Sequence, residues 1–193
     1  MGEKPMPVEY LKETPSQTAG PYVHIGTLPA HAGLPVRQNE TLNAIEAPGE
    51  RIVVEGIVLD GSGAPVKDAM IELYQADSKG QVGEHTLWGR AAAMFETGEL
   101  RFDTVRPGAL AWRGGKMQAP HLTLLIFARG INIHLHTRMY FPEDEAAHQV
   151  DPALNRIEQV QRRKTLIAEK KKDGHYRFVI RLQGDQETVF FDM

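Results

Sequence analysis

The segment HYRFVIRLQGDQETVFFD, residues 175–192, places Tyr176, Phe178, Ile180 and Leu182 at a strict spacing of two. Successive side chains of an extended chain point to opposite faces, so this spacing buries one face of a β-strand. Gly184-Asp185 then offers a turn. The same texture recurs from residue 51 onward. RIVVEGIVLD and AMIELYQAD are two β-rich runs joined by the turn signal Asp60-Gly61-Ser62-Gly63. ELRFDTVRPG is a further short strand, ended by Pro107-Gly108. HLTLLIFARG and INIHLHTRMYF make a hairpin with its bend at Arg129-Gly130. Short strands with regular turns predict an all-β domain, a sandwich or barrel, over residues 51–193. One short C-terminal helical segment is expected within residues 151–172. There Leu154, Ile157 and Val160 recur at helical spacing, and Lys170–Lys172 suits a helix C-terminus.

Residues 1–50 have a different texture. Pro5, Pro7, Pro15, Pro21, Pro29 and Pro35, with interspersed glycines, argue against a regular helix or an interior strand. Tyr10, Leu11, Tyr22, Val23 and Ile25 nevertheless call for burial, which disordered segments do not. A long irregular segment with its own apolar residues is expected to be docked. We read it as an extended N-terminal arm that packs on a partner chain.

Composition narrows the functional classes. The chain has 193 residues, 41% hydrophobic and 24% charged, enough for one domain with a real core. A net charge of -3 supplies no basic field for nucleic acid, and Arg162, Arg163 and Lys164 read as a solvated face. Cysteine is absent, which removes disulfides, thiolate metal sites and thiol nucleophiles together. The N-terminus lacks the apolar core of a secretory signal, and no run approaches membrane-spanning length. A cytoplasmic protein that contacts neither membrane nor nucleic acid is expected.

Three histidines stand out in APHLTLLIFARGINIHLHTRMYF, residues 119–141. His134 and His136 would share one face of a strand, and with His121 they could seed a three-histidine metal site. The competing reading makes them hydrogen-bonded core or interface residues. Arg129 follows the apolar run LLIFA and precedes Gly130. An arginine at the rim of an apolar site holds a carboxylate through two charge-assisted hydrogen bonds; a surface arginine at a strand end is the alternative. No Gly-rich phosphate loop, nucleophile elbow or zincin helix is present.

ETPSQTAGPYVHIG, GSGAPVKDAMIELYQAD, TVRPG, APHLTLLIFARGINIHLHTRMYF and ETVFFD together resemble the intradiol ring-cleaving dioxygenases, over nearly the whole chain. The resemblance implies a β-sandwich and O2-dependent cleavage of a catechol ring between its two hydroxyl-bearing carbons. Catalytic members hold a non-haem ferric ion with two tyrosines and two histidines. The matching positions here carry Val82 in YQADSKGQV, Leu110 in TVRPGAL, and His121 and Thr123 in APHLT. Hydrocarbon side chains cannot coordinate iron, and one histidine cannot hold Fe(III) against water.

The departures match the iron-free chain of a two-chain enzyme acting on protocatechuate (3,4-dihydroxybenzoate) and O2. The resemblance therefore implies a hetero-oligomer whose Fe(III) is ligated wholly by a beta chain, with no metal and no catalytic residue on this one. It also implies that Thr18, Gly20, Pro21 and Tyr22 of the arm, with Arg129, line the substrate cavity. On that reading His134 and His136 are structural. Two alternatives stand beside it: a β-sandwich binding or scaffold protein that lost catalysis with its ligands, and a different metalloenzyme built on His134 and His136.

Overall fold

The computed structural model describes residues 18–192, apart from Pro21, Ala32, residues 36–41 and His85, and for Tyr22 the backbone alone. Ten strands form from the short apolar runs: β1 Arg51–Leu59, β2 Met70–Gln75, β3 Leu87–Ala92, β4 Glu99–Val105, β5 Leu110–Ala111, β6 Met117–Gln118, β7 His121–Phe127, β8 Leu135–Tyr140, β9 Glu169–Lys172 and β10 His175–Arg181. One four-stranded sheet has the order β4-β1-β10-β9 and a second the order β3-β2-β7-β8, while β5 and β6 form a small ribbon.

Alternation decides which residues meet between the sheets. Ile52, Val54 and Val58 of β1, Phe102 of β4 and Tyr176, Phe178 and Ile180 of β10 join Ile71, Leu73, Leu122, Leu124, Ile126 and Met139 of the second sheet in one buried cluster. This is a β-sandwich, as expected. Every other residue of the second sheet therefore lies on its outer face: Glu72 and Tyr74 of β2, Arg90 of β3, and His121 and Thr123 of β7.

That outer face is covered, which is why β2 is buried at nearly every position. Helix α1, Tyr22–Thr27, lies over one part of it. Arg90 Nη1 donates to the Thr27 carbonyl at 2.9 Å, and Arg90 Nε donates to Glu72 Oε1 at 2.9 Å. Tyr74 completes the group by donating its hydroxyl to Glu72 Oε2 at 2.9 Å. A second apolar cluster of Tyr140, Leu154, Leu166 and Val189 covers the β8 side.

Several local expectations are corrected. The hairpin of β7 and β8 forms with Arg129 and Gly130 in its turn, but β8 begins only at Leu135. His134 therefore lies in the loop, exposed, and does not share a strand face with the buried His136. The region 151–172 holds two 3₁₀ segments, Leu154–Arg156 and Val160–Leu166, rather than one regular helix. The spacing of Leu154, Ile157 and Val160 fits a three-residue turn as well as an α-helical one. Lys170–Lys172, read as a helix end, belongs to β9, an exposed edge strand paired with β10. The proline-rich arm also contains α1, which fits between Pro21 and Pro29. Among the described residues, no helix is long and apolar enough to cross a membrane.

Candidate functional site

Two glycines bring the β2–β3 loop against the β4–β5 turn. The Asp77 carbonyl accepts hydrogen bonds from the Gly80 amide at 3.0 Å and the Gly108 amide at 2.9 Å. Its carboxylate Oδ1 accepts from the amides of Lys79 and Gln81, closing the loop on itself. Gly80 has φ +77, and a Cβ there would stand 1.9 Å from the Ala109 carbonyl oxygen. Only glycine permits that approach. Val82 and Leu110 are thereby carried to the same place as His121 and Thr123.

The result is one small pocket, about 120 Å³, lined by Tyr74, Val82, Leu110, His121, Thr123 and neighbours. All four positions that the family resemblance assigns to iron ligands converge there. The side chains present do not fit a ferric ion. Val82 and Leu110 have no donor atom, and Thr123 offers a neutral hydroxyl. His121 donates Nδ1–H to the Ala119 carbonyl at 2.8 Å and stacks on Tyr140, its cross-strand neighbour, at 5.4 Å. Burial, followed by the Arg138 charge, lowers its pKa to about 4. Tyr74 lines the pocket, but its hydroxyl is committed to Glu72, and burial and that carboxylate push its pKa up, away from the phenolate a metal would need. Among the described residues, no three His, Asp, Glu or Cys side chains are grouped to hold a metal.

The proposed histidine pair divides in two. His136 is buried against Phe191 at 5.6 Å, and burial followed by Arg138 lowers its pKa to about 4. His134 stacks on Phe127 at 5.6 Å from the loop. Neither points to metal chemistry.

The other sequence-derived residues gather at the opposite end of β7. The Gly130 amide donates to the Thr18 hydroxyl at 2.7 Å, so the arm and the bend meet as a unit. The Arg129 side chain is 82% exposed, with Nε 3.4 Å from Asp68 Oδ1. A cleft of about 490 Å³ opens beside it, lined by His24 and Ile25 of α1, His31, Lys67, Asp68, Phe95 and Arg129. Gly20 caps the start of this region, its carbonyl accepting from the Val23 amide at 3.0 Å. Among the described residues beyond its chain neighbours, nothing lies within 4 Å of where a Cβ on Gly20 would stand. Pro21, and the side chain of Tyr22, lie outside the described residues.

Thr123 and Phe127 are four strand residues apart, about 13 Å at ~3.3 Å per residue, and Arg129 lies beyond. The two pockets share no lining residue. Arg129 is thus remote from the pocket formed by the iron-ligand positions of its own chain. Sequence reasoning missed Asp68, Lys67, His24 and His31, because no spacing or composition signal marks residues that converge only through the arm's docking.

Fold and pocket together define a class. A Dioxygenase family model matches residues 20–184, and the chain belongs to the intradiol ring-cleaving dioxygenase family. Its fold is shared with the intradiol ring-cleavage dioxygenase from Tetranychus urticae, at TM-score 0.54 and 17% identity over 72% of this chain and 83% of that one. Within the family it is 49% identical to the protocatechuate 3,4-dioxygenase alpha chain of Pseudomonas putida, over 97% of this chain and 100% of that one. It is also 31% identical to the protocatechuate 3,4-dioxygenase beta chain of Burkholderia cepacia, over 80% of this chain and 74% of that one.

Proposed function

We propose that this chain is the iron-free alpha subunit of a protocatechuate 3,4-dioxygenase. With an iron-bearing beta chain it completes the site in which protocatechuate and O2 become 3-carboxy-cis,cis-muconate, both oxygen atoms entering the product. Fe(III) is ligated by the beta chain alone, and the complex works in the cytoplasm. The observation that carries this reading is the separation of the two halves of a site within one chain. The iron-ligand positions hold Val82, Leu110 and Thr123 around one pocket, while Thr18 and Arg129 meet at the far end of β7.

Residues kept together but away from their own chain's pocket serve a pocket on another chain. In this reading Thr18, Gly20, Pro21 and Tyr22 form one wall of the substrate cavity, and the arm packs on the beta chain. Gly20 has no side chain to obstruct a close approach from that partner. Arg129 binds the substrate carboxylate through its guanidinium, a fork suited to bidentate carboxylate recognition. Its contribution to rate is positioning of the bound substrate.

Co-expression with a beta chain, followed by purification and iron quantification, tests the proposal. A ferric, coloured and active complex is expected, with no iron in this chain purified alone. Stoichiometric iron in the isolated chain, or full activity of the beta chain without it, overturns the proposal.

A further inference from the structure

Two consecutive amides at the β7–β8 bend are held by side chains from distant parts of the chain. The Arg129 amide donates to Asp68 Oδ2 at 3.1 Å, and the Gly130 amide donates to Thr18 Oγ1 at 2.7 Å. Asp68 precedes β2 and belongs to the sandwich, whereas Thr18 belongs to the arm. Gly130 has φ +83, so the bend turns sharply just after Arg129.

The two ends of the Asp68–Arg129 contact differ in exposure. The Asp68 side chain is 29% exposed and that of Arg129 is 82% exposed. An arginine with so little packing takes its direction from where its backbone is held. Asp68 Oδ1 lies 3.4 Å from Arg129 Nε, the guanidinium nitrogen nearest the chain. Among the described residues no hydrogen bond engages the Nη groups, which leaves that edge for a ligand carboxylate. An exposed ion pair of this kind is worth little by itself; the backbone hydrogen bond is the stronger constraint.

We propose that Asp68 is a positioning residue for the reaction: by accepting from the Arg129 amide it fixes the bend that aims the guanidinium at the substrate carboxylate. This rests on the reading of Arg129 as the carboxylate anchor. A receptor of this kind loses affinity when its supporting contacts are left loose.

The experiment uses the assembled alpha–beta enzyme carrying Asp68→Ala, Asp68→Asn, Arg129→Ala, or Asp68→Ala with Arg129→Ala. KM and kcat for protocatechuate are measured alongside iron content and melting temperature. Arg129→Ala is expected to raise KM about 10- to 100-fold, the range for charge-assisted hydrogen bonds. Asp68→Ala is expected to raise KM about 3- to 10-fold, the size of one hydrogen bond, with kcat and iron content unchanged. Asp68→Asn keeps an oxygen acceptor for the Arg129 amide and should recover most of the loss. The double variant should be no worse than Arg129→Ala, because Asp68 acts through that side chain.

An unchanged KM in Arg129→Ala overturns the anchor reading itself. If Arg129→Ala is impaired but Asp68→Ala is not, the anchor stands and the positioning role falls. Losses that add fully in the double variant, or an Asp68→Asn enzyme no better than Asp68→Ala, also overturn the positioning role.

Discussion

The Gly130 amide donates to the Thr18 hydroxyl at 2.7 Å, joining residues 112 positions apart. One hydroxyl thus sets where the arm meets the β7–β8 bend. Thr18→Val removes the acceptor while keeping the side chain's shape. The assembled enzyme is expected to show a KM for protocatechuate raised about 3- to 10-fold, the worth of one hydrogen bond. Thr18→Ser should stay near the parent, and steady-state kinetics on the three enzymes checks both expectations.

The Gly80 backbone is committed to a conformation and a contact that no other residue tolerates. Gly80→Ala places a methyl against the Ala109 carbonyl at φ +77, so one of the two loops must move. The isolated chain is expected to lose about 2–3 kcal/mol of stability, measured by urea denaturation. Gly63→Ala is the control. Its φ is +83, but no described residue beyond its chain neighbours lies within 4 Å of the added Cβ, so the loss there should be about 1 kcal/mol from the backbone alone.

Arg90 holds the arm and a carboxylate at once. Its side chain is 19% exposed and that of Glu72 is 11% exposed, so neither is well solvated if the other is lost. Arg90→Ala should cost about 2–3 kcal/mol, below the range for a fully buried pair, and release α1 from the second sheet. A fall in melting temperature with faster proteolysis near Leu28 is the expected result. The Arg90→Ala, Glu72→Ala double variant should recover part of the loss.

Two buried histidines contribute to acid sensitivity. Burial first, and the Arg138 charge second, lower His121 and His136 from 6.5 to about 4. Well above pH 6.5 both are neutral whether the chain is folded or not, and their full contribution to stability is present. Between pH 6.5 and 4 the unfolded chain takes up protons that the folded chain refuses, so stability falls with pH. Below pH 4 the folded chain takes them up too and the fall ends. For His121 the span corresponds to about 3 kcal/mol at most. Urea denaturation at stepped pH should show a proton uptake on unfolding over this window, smaller by up to one proton in His121→Gln.

Strands with strong alternation were legible in the sequence; elements defined by tertiary contact were not. Tyr176, Phe178 and Ile180 announce β10 because their period already separates buried from exposed. The Pro107-Gly108 end of β4 is equally local. β9 carries four exposed residues, Glu169–Lys172, and its pairing with β10 is decided by position at a sheet edge, where charge discourages further pairing. α1 has six residues and would be marginal alone; Arg90 and the outer face of the second sheet hold it. The convergence of Val82, Leu110, His121 and Thr123 was readable because the family motif fixes those four positions. The Asp68 contact was not, since it joins a turn to a bend 61 residues away without any motif.

The parallel pairing of β1 with β10, from Val53 against His175 to Leu59 against Arg181, places a schedule on the growing chain. A ribosome delivers β1 and β4 early, and these can pair as soon as both emerge. The centre of the first sheet stays open on its other side until residue 181 has left the exit tunnel. Such non-local pairing is slow and leaves a strand edge unprotected in the interval. Thr18 of the arm is synthesised before β1, yet its seat at Gly130 exists only after β7 has been made. Closure of the first sheet therefore waits on residues 175–181, and seating of the arm waits on β7, so neither contact can guide the earliest folding of β1 with β4.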